Sequence, residues 1–169
     1  MTRTLLVLLI AAIFALCVAG MLWGYRNRAR RQAAVLPPFP EPPADLGAER
    51  LTTTGVYAST TTDASWQDRI AIGDIGHRSA ATLRLHDAGL LVERDGASPV
   101  WIPAESLVQS RTSAGHAGKV MGGDGVLVIR WRLGEQLLDT GFRGDDKDVY
   151  PEWSDAITEL VGAQGKAVS

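Results

Sequence analysis

From Leu5 to Trp23 the chain is almost unbrokenly apolar. Nineteen helical residues at 1.5 Å each cover roughly 28 Å, about the hydrocarbon thickness of a bilayer, so this stretch predicts one membrane-spanning helix. Beyond residue 47 the pattern becomes alternating. Residues 54–62 are rich in Thr, Val and Tyr, a strand composition. In 81–86, Leu83 and Leu85 share a face, and Asp87-Ala88-Gly89 supplies a turn into 90–94. Asp95-Gly96 signals a hairpin before 100–102. Residues 105–112 read as a further strand with Leu107 inward, and five glycines between 115 and 125 predict a loop. Residues 126–133 place Leu127, Ile129, Trp131 and Leu133 on one face. Gly134-Glu135 then turns the chain into 136–142, where Leu138, Thr140 and Phe142 are aligned. That makes seven strands.

A helix closes the pattern. Pro151 suits a first helical position, and Glu152 and Asp155 favour the positive end of the helix dipole. Trp153, Ala156, Ile157, Leu160 and Val161 recur with helical spacing and form one apolar stripe. Gly162 is positioned as a C-terminal cap, and 163–169 is expected to fray. The chain therefore divides into an anchor with a short N-terminus (1–25), a basic and Pro-rich linker (26–46), a soluble domain (47–162) and a tail (163–169).

The flanks of the apolar run set its topology. Only Arg3 precedes it, whereas Arg26, Arg28, Arg30 and Arg31 follow it. A cleaved signal carries its charge before a shorter core, so the order favours a retained anchor. Leu16 stands where a lipoprotein signal needs a small residue before Cys17. Positive flanks stay cytoplasmic, which directs the soluble part to the cytoplasmic face of the plasma membrane. The same four arginines are candidate contacts for anionic headgroups, although a topology signal alone accounts for them. Pro37, Pro38, Pro40, Pro42 and Pro43 then predict a semi-rigid polyproline stalk.

No catalytic signature emerges. The run from Gly115 to Val120 lacks the first glycine and the final Ser or Thr of a P-loop. Ser113 lacks the first glycine of a nucleophile elbow. His77, His86 and His116 are not paired at helical spacing, and Cys17 is the one cysteine, so no metal site is expected. Asp145, Asp146 and Asp148 lack the glycine and glutamate of a calcium loop. No cofactor is implied, and the chain reads as a non-enzyme.

Seven antiparallel strands in a bent sheet, capped by one terminal helix, resemble the pleckstrin-homology-like (PH-like) fold. The segments 100–107, 127–133 and 140–143, together with the Pro151-Glu152-Trp153 helix start, are similar to those of small actinobacterial single-pass membrane proteins with a PH-like domain. Relatives of that kind are often labelled export or transport proteins. The resemblance implies a mainly β fold and an interaction module rather than a catalyst. Charge tests what else it implies. Past residue 32 there are 12 basic residues against 19 acids, a charge of −7. The segment 63–78 holds Asp63, Asp68 and Asp74 against Arg69 and Arg78, a poor phosphate cradle, so phosphoinositide is not expected as a ligand. Nucleic acid is disfavoured for the same reason. A protein partner is expected, with Trp66 as a candidate contact, although Trp66 can equally cap the core. The alternatives are recognition of a lipid or small ligand at the bilayer surface, through convergence of Arg78, Arg84, Arg111, Arg130 and Arg132, or service as an accessory subunit of a membrane transport complex.

Overall fold

The computed structural model describes residues 2–33, 36–63, 65–120 and 125–167. A long helix, α1 (Thr2–Ala33), leads into β1 (Glu49–Thr62), β2 (Ser65–Arg69), β3 (Ser79–His86), β4 (Gly89–Arg94) and β5 (Val100–Pro103). A 3-10 turn (Ala104–Ser106) precedes β6 (Leu107–Ser113), the small hairpin β7 (Gly115–His116) and β8 (Lys119–Val120), then β9 (Val126–Leu133), β10 (Gln136–Gly144) and α2 (Tyr150–Ala167). The main sheet runs β5-β4-β3-β1-β10-β9-β6, antiparallel throughout, with β2 attached to β1. Each of its seven path strands overlaps one of the seven segments read as strands, although β1 begins five residues earlier, at Glu49.

The sheet folds over on itself along β1. The first half of this strand pairs with β3 and the second half with β10, and Gly55 belongs to both ladders. A side chain at Gly55 would run into the Arg143 carbonyl and come within 2.9 Å of the Phe142 ring, so the fold needs glycine there. One apolar cluster fills the concave side, and Trp153, Ile157 and Leu160 of α2 complete it.

Several local features depart from the pattern. Residues 104–106 form a 3-10 turn rather than strand. The segment after β1 contains β2, and part of the Gly-rich segment pairs as β7–β8. The terminal helix continues through Gly162 to Ala167 instead of ending at a cap. Nothing lies within 4 Å of a side chain placed at Gly162. An exposed helical glycine there costs about 1 kcal/mol, too little to stop a helix with a well-packed stripe.

The Pro-rich segment is not a free stalk. Leu36 is buried in the core cluster and Phe39 packs on it, edge-to-face with Trp131 at 5.9 Å between centroids. Burying such side chains is worth roughly 1.5–3 kcal/mol each, which draws the intervening prolines onto the domain. Phe39→Ala is therefore expected to destabilise the folded chain by about 1–3 kcal/mol, measured by urea unfolding. A change below ~0.5 kcal/mol would mean the strap is not held.

Within α1, Arg3–Asn27 is long and apolar enough to cross a membrane by length and composition, and none of its most apolar window is buried against the rest of the chain.

Candidate functional site

The two ends of the main sheet differ. β5 is four residues long, is flanked by Pro99 and Pro103, and keeps Val100, Trp101 and Ile102 buried. Short strands and prolines block pairing at an edge. β6 is seven residues long, and among the described residues it pairs on one side only, with β9. Its outer side lies beside α2, which packs against β6 and the 3-10 turn. Val108 on β6 is 36% exposed, and outside α1 it is the one large apolar side chain exposed among the described residues. Glu105 just before β6, and Glu152, Asp155 and Glu159 on α2, are exposed carboxylates. β6 thus carries an exposed apolar side chain, with exposed carboxylates on the turn before it and on α2, and with Arg111 on β6 and Arg132 on β9.

Behind this edge lies a charged cluster on the convex face of the sheet. Asp139 of β10 accepts bonds from Arg130 Nε and Nη2 at 2.8 and 2.9 Å and from Arg111 Nη2 at 2.9 Å. The β7–β8 hairpin covers the adjacent part of that face. Its His116 ring lies against Gly141 and its Nε2 is 3.0 Å from the Ser59 carbonyl. Ala117, at the hairpin tip, has φ 52°, and its carbonyl accepts two bonds from Arg69. Gly141 leaves room for the imidazole where any side chain would collide with it.

These groups respond to pH in separate windows. Burial pushes the His116 imidazole below its ordinary 6.5, against the Ser59 bond and the Asp139 charge, so folding favours its neutral form. The unfolded chain then binds the proton more readily, and stability falls as pH drops below about 6.5. At Asp139, burial raises the carboxyl pKa, but the Arg130 bond and the charges of Arg130 and Arg111 outweigh it and hold the group below 3.8. Its contribution is complete above that ordinary value and is lost as pH falls toward the folded pKa. Urea midpoints taken from pH 8 to 3 are expected to decline in two steps. His116→Gln should flatten the upper step, and Asp139→Asn should reduce the lower one. If each variant leaves its step intact, the assignment is wrong.

A second concavity, about 700 Å³, lies between the Pro-rich strap and two loops, lined by Phe39, Pro40, Glu41, Ile72, Asp74 and Pro99 among others. At its base Arg94, whose side chain is fully buried, reaches the carbonyls of Ser98, Asp74 and His77 and the Asp74 carboxylate. Its guanidinium sits 4.8 Å from the centroid of the Tyr57 ring.

Of the basic residues named from the sequence, only Arg111 and Arg130 are shown brought together, on Asp139. Arg84 is bound to Glu49 and Glu93, Arg111 and Arg130 share Asp139, and Arg78 and Arg132 are exposed elsewhere. Arg26, Arg28, Arg30 and Arg31 occupy the last turns of α1. The side chains of Arg26 and Arg30 are exposed, and those of Arg28 and Arg31 lie outside the described residues. Trp66 belongs to β2 by its backbone, and its side chain likewise lies outside the described residues. The reading of the sequence missed Asp139, His116 and Arg94. Alternation did offer a signal for Arg94, which shares a strand face with Leu90 and Val92. Among the described residues no three His, Cys, Asp or Glu side chains gather as a metal site.

A seven-stranded antiparallel sheet closed by a C-terminal helix is the plan of PH-like domains, which generally serve as interaction modules. Residues 36–158 match the family described as Bacterial PH domain-like, and the chain belongs to that family. No curated protein matches it. Among solved structures it is similar to a chain of "The 8S snRNP Assembly Intermediate", at 10% identity and TM-score 0.47, covering 73% of this chain and 88% of that one. It is also similar to inhibitor-bound Vav1, at 14% identity and TM-score 0.40, covering 69% of this chain. A truncated, activated Vav1 gives 12% identity and TM-score 0.40, covering 82% of this chain. The chain spans 27% and 32% of those two Vav1 chains.

Proposed function

We propose that this protein is a membrane-tethered, non-catalytic interaction module that captures an extended, basic segment of a partner protein along β6, beside α2. The observation that carries the reading is the exposed Val108 on β6, which among the described residues ends the sheet path and pairs with β9 alone. Added strands gain affinity from main-chain hydrogen bonds and specificity from alternate side chains. The carboxylates at Glu105 and on α2 favour a partner rich in Lys and Arg. The apolar part of α1 holds the module at the bilayer, and the arginines of its last turns direct the module to the cytoplasmic face.

Recognition of an anionic headgroup is less well supported, because Arg84 and Arg94 are paired with the chain's own carboxylates and Arg111 and Arg130 are both drawn to Asp139. The test is a photo-crosslinking residue at Val108 in the full-length protein in native membranes, with the same residue at exposed Thr52 as control. A discrete protein adduct from position 108 alone is expected, and its attachment peptide should be basic. Equal labelling from both positions, or lipid adducts only, would remove the reading. A reporter fused after Ser169 should be active only when placed in the cytoplasm.

A further inference from the structure

Building on the membrane-tether reading, we propose that the strap from Leu36 to Leu46 fixes the domain against the lipid surface. The β9–β10 tip and the loops around Ile72 and Pro99 then face the bilayer, so that the protein is not displayed on a spacer. The apolar span ends at Asn27, α1 ends at Ala33, and Leu36 is already in the core of the domain. The six helical residues after the span add about 9 Å and the three from Ala33 to Leu36 at most about 11 Å, about 20 Å in all. Had residues 36–46 been an extended polyproline spacer, the domain would stand off by about 30 Å more. Instead the strap is seated along its length. Pro37 lies against Gly134, where an added side chain would come 2.8 Å from the proline ring. Phe39 contacts Trp131. Pro40 and Pro42 wall the concavity with Ile72 and Pro99. The far end of the strap is tied to the β3–β4 turn by the Ala88 amide to Leu46 carbonyl bond at 3.1 Å.

The strap therefore has a membrane-side end at Gly134 and a distal end at Ala88. Charge agrees with this orientation. Exposed Glu41 and Glu135 lie at the membrane-side end, and the α1 segment that reaches it carries Arg26, Arg28, Arg30 and Arg31. Arg26 and Arg30, whose side chains are exposed, are thus set between anionic headgroups above and carboxylates below, a second role beside directing topology. The β6 edge, on the far side of the sheet path from the strap-tied β3–β4 turn, keeps its own approach for a partner.

The test uses the full chain in nanodiscs with Cys17→Ser and a single fluorophore on Glu135→Cys or Ala88→Cys, read by quenchers attached to lipid headgroups. Quenching several-fold stronger at position 135 than at 88 is expected. Inserting about ten Gly and Ser residues between residues 34 and 35 leaves the strap docked but lengthens the tether, and it should abolish the difference. Equal quenching in the unmodified chain overturns the proposal. So does a difference that survives the insertion, since attraction of the surface and not the tether would then hold the domain. Release of the chain from membranes by alkaline carbonate would instead sink the tether reading itself and this proposal with it.

Discussion

Trp131→Ala is expected to destabilise the folded chain by about 3–5 kcal/mol, the largest effect of any single substitution. Trp131 is fully buried at the centre of the cluster, and Phe39 of the strap rests on it. Its indole also begins a chain of hydrogen bonds. Nε1 donates to Thr140 Oγ1 (2.9 Å), which is 2.8 Å from Thr60 Oγ1, which is 2.8 Å from the Tyr57 hydroxyl, which donates to the Ile75 carbonyl (2.7 Å). An indole N–H can only donate and a carbonyl can only accept, so the direction of every hydroxyl between them is fixed. Every member is satisfied, and such a network is stabilising only while complete. Removing the tryptophan leaves a cavity, takes the first donor and loosens the strap. Against total stabilities of about 5–15 kcal/mol typical of such domains, a loss of this size should lower the urea midpoint and Tm markedly. Trp131→Phe keeps most of the volume and is expected to cost clearly less. A Trp131→Ala midpoint in urea close to that of the wild type would show that the strap and core are not organised around this residue.

Arg94→Met should follow at about 3–4 kcal/mol, in the range for breaking a buried charge pair. Arg94 accounts for most of the order in two loops at once. Its guanidinium binds carbonyls of Ser98, Asp74 and His77 and the Asp74 carboxylate, while lying over Tyr57. Asp74 completes the link by accepting the Ser98 amide at 2.7 Å. Methionine fills the volume but offers no donor, so three inward-facing carbonyls lose their partner. Because Asp74 is 31% exposed, water recovers part of that loss, which keeps the estimate below the upper end. Hydrogen exchange should show faster exchange at residues 72–78 and 95–99 than in β9 and β10. Uniform acceleration across the sheet would argue that Arg94 supports the core rather than these loops. Lysine is not an adequate substitute, since an ammonium cannot reproduce the fork of donors.

Much of the fold was legible in the sequence, for reasons that can be traced to particular residues. A period of two over Val126–Leu133 and again after Gly134-Glu135 identifies a hairpin, and a two-residue turn fixes its register. The ladder opposes Leu133 to Gln136, which brings Arg130 opposite Asp139. That ion pair follows from counting back along the two strands. The i, i+3, i+4 stripe likewise located the helix on Trp153, Ile157 and Leu160. Its end was misread because glycine is a weak stop signal when the preceding stripe is well packed. β1 was only half visible, since Thr52 and Thr53 alternate without apolar contrast. They are strand because β3 pairs with them, a contact far along the chain.

The candidate site was less legible. Val108 acquires meaning only from the strand order, which leaves β6 at the end of the path. The docking of the strap depends on Trp131 lying near Phe39, 92 positions away in the chain. Proline composition reports local stiffness and says nothing about what the stiff segment rests on. Arg94 looked like the polar end of a strand. Its inward face follows from alternation, but its partners come from a separate loop.

The central claim is that β6 is the docking edge for an extended basic segment. The measurement that tests it most directly is backbone hydrogen exchange of the full chain in nanodiscs, with and without a saturating peptide selected for binding from an unbiased library. The account predicts that selected peptides are rich in Lys and Arg, that amides of residues 107–113 gain protection, and that Val108→Pro abolishes binding while leaving the unfolding midpoint of β9 and β10 little changed. Peptides without basic bias, or protection that appears around Ile72 and Pro99 while β6 stays unchanged, would contradict it.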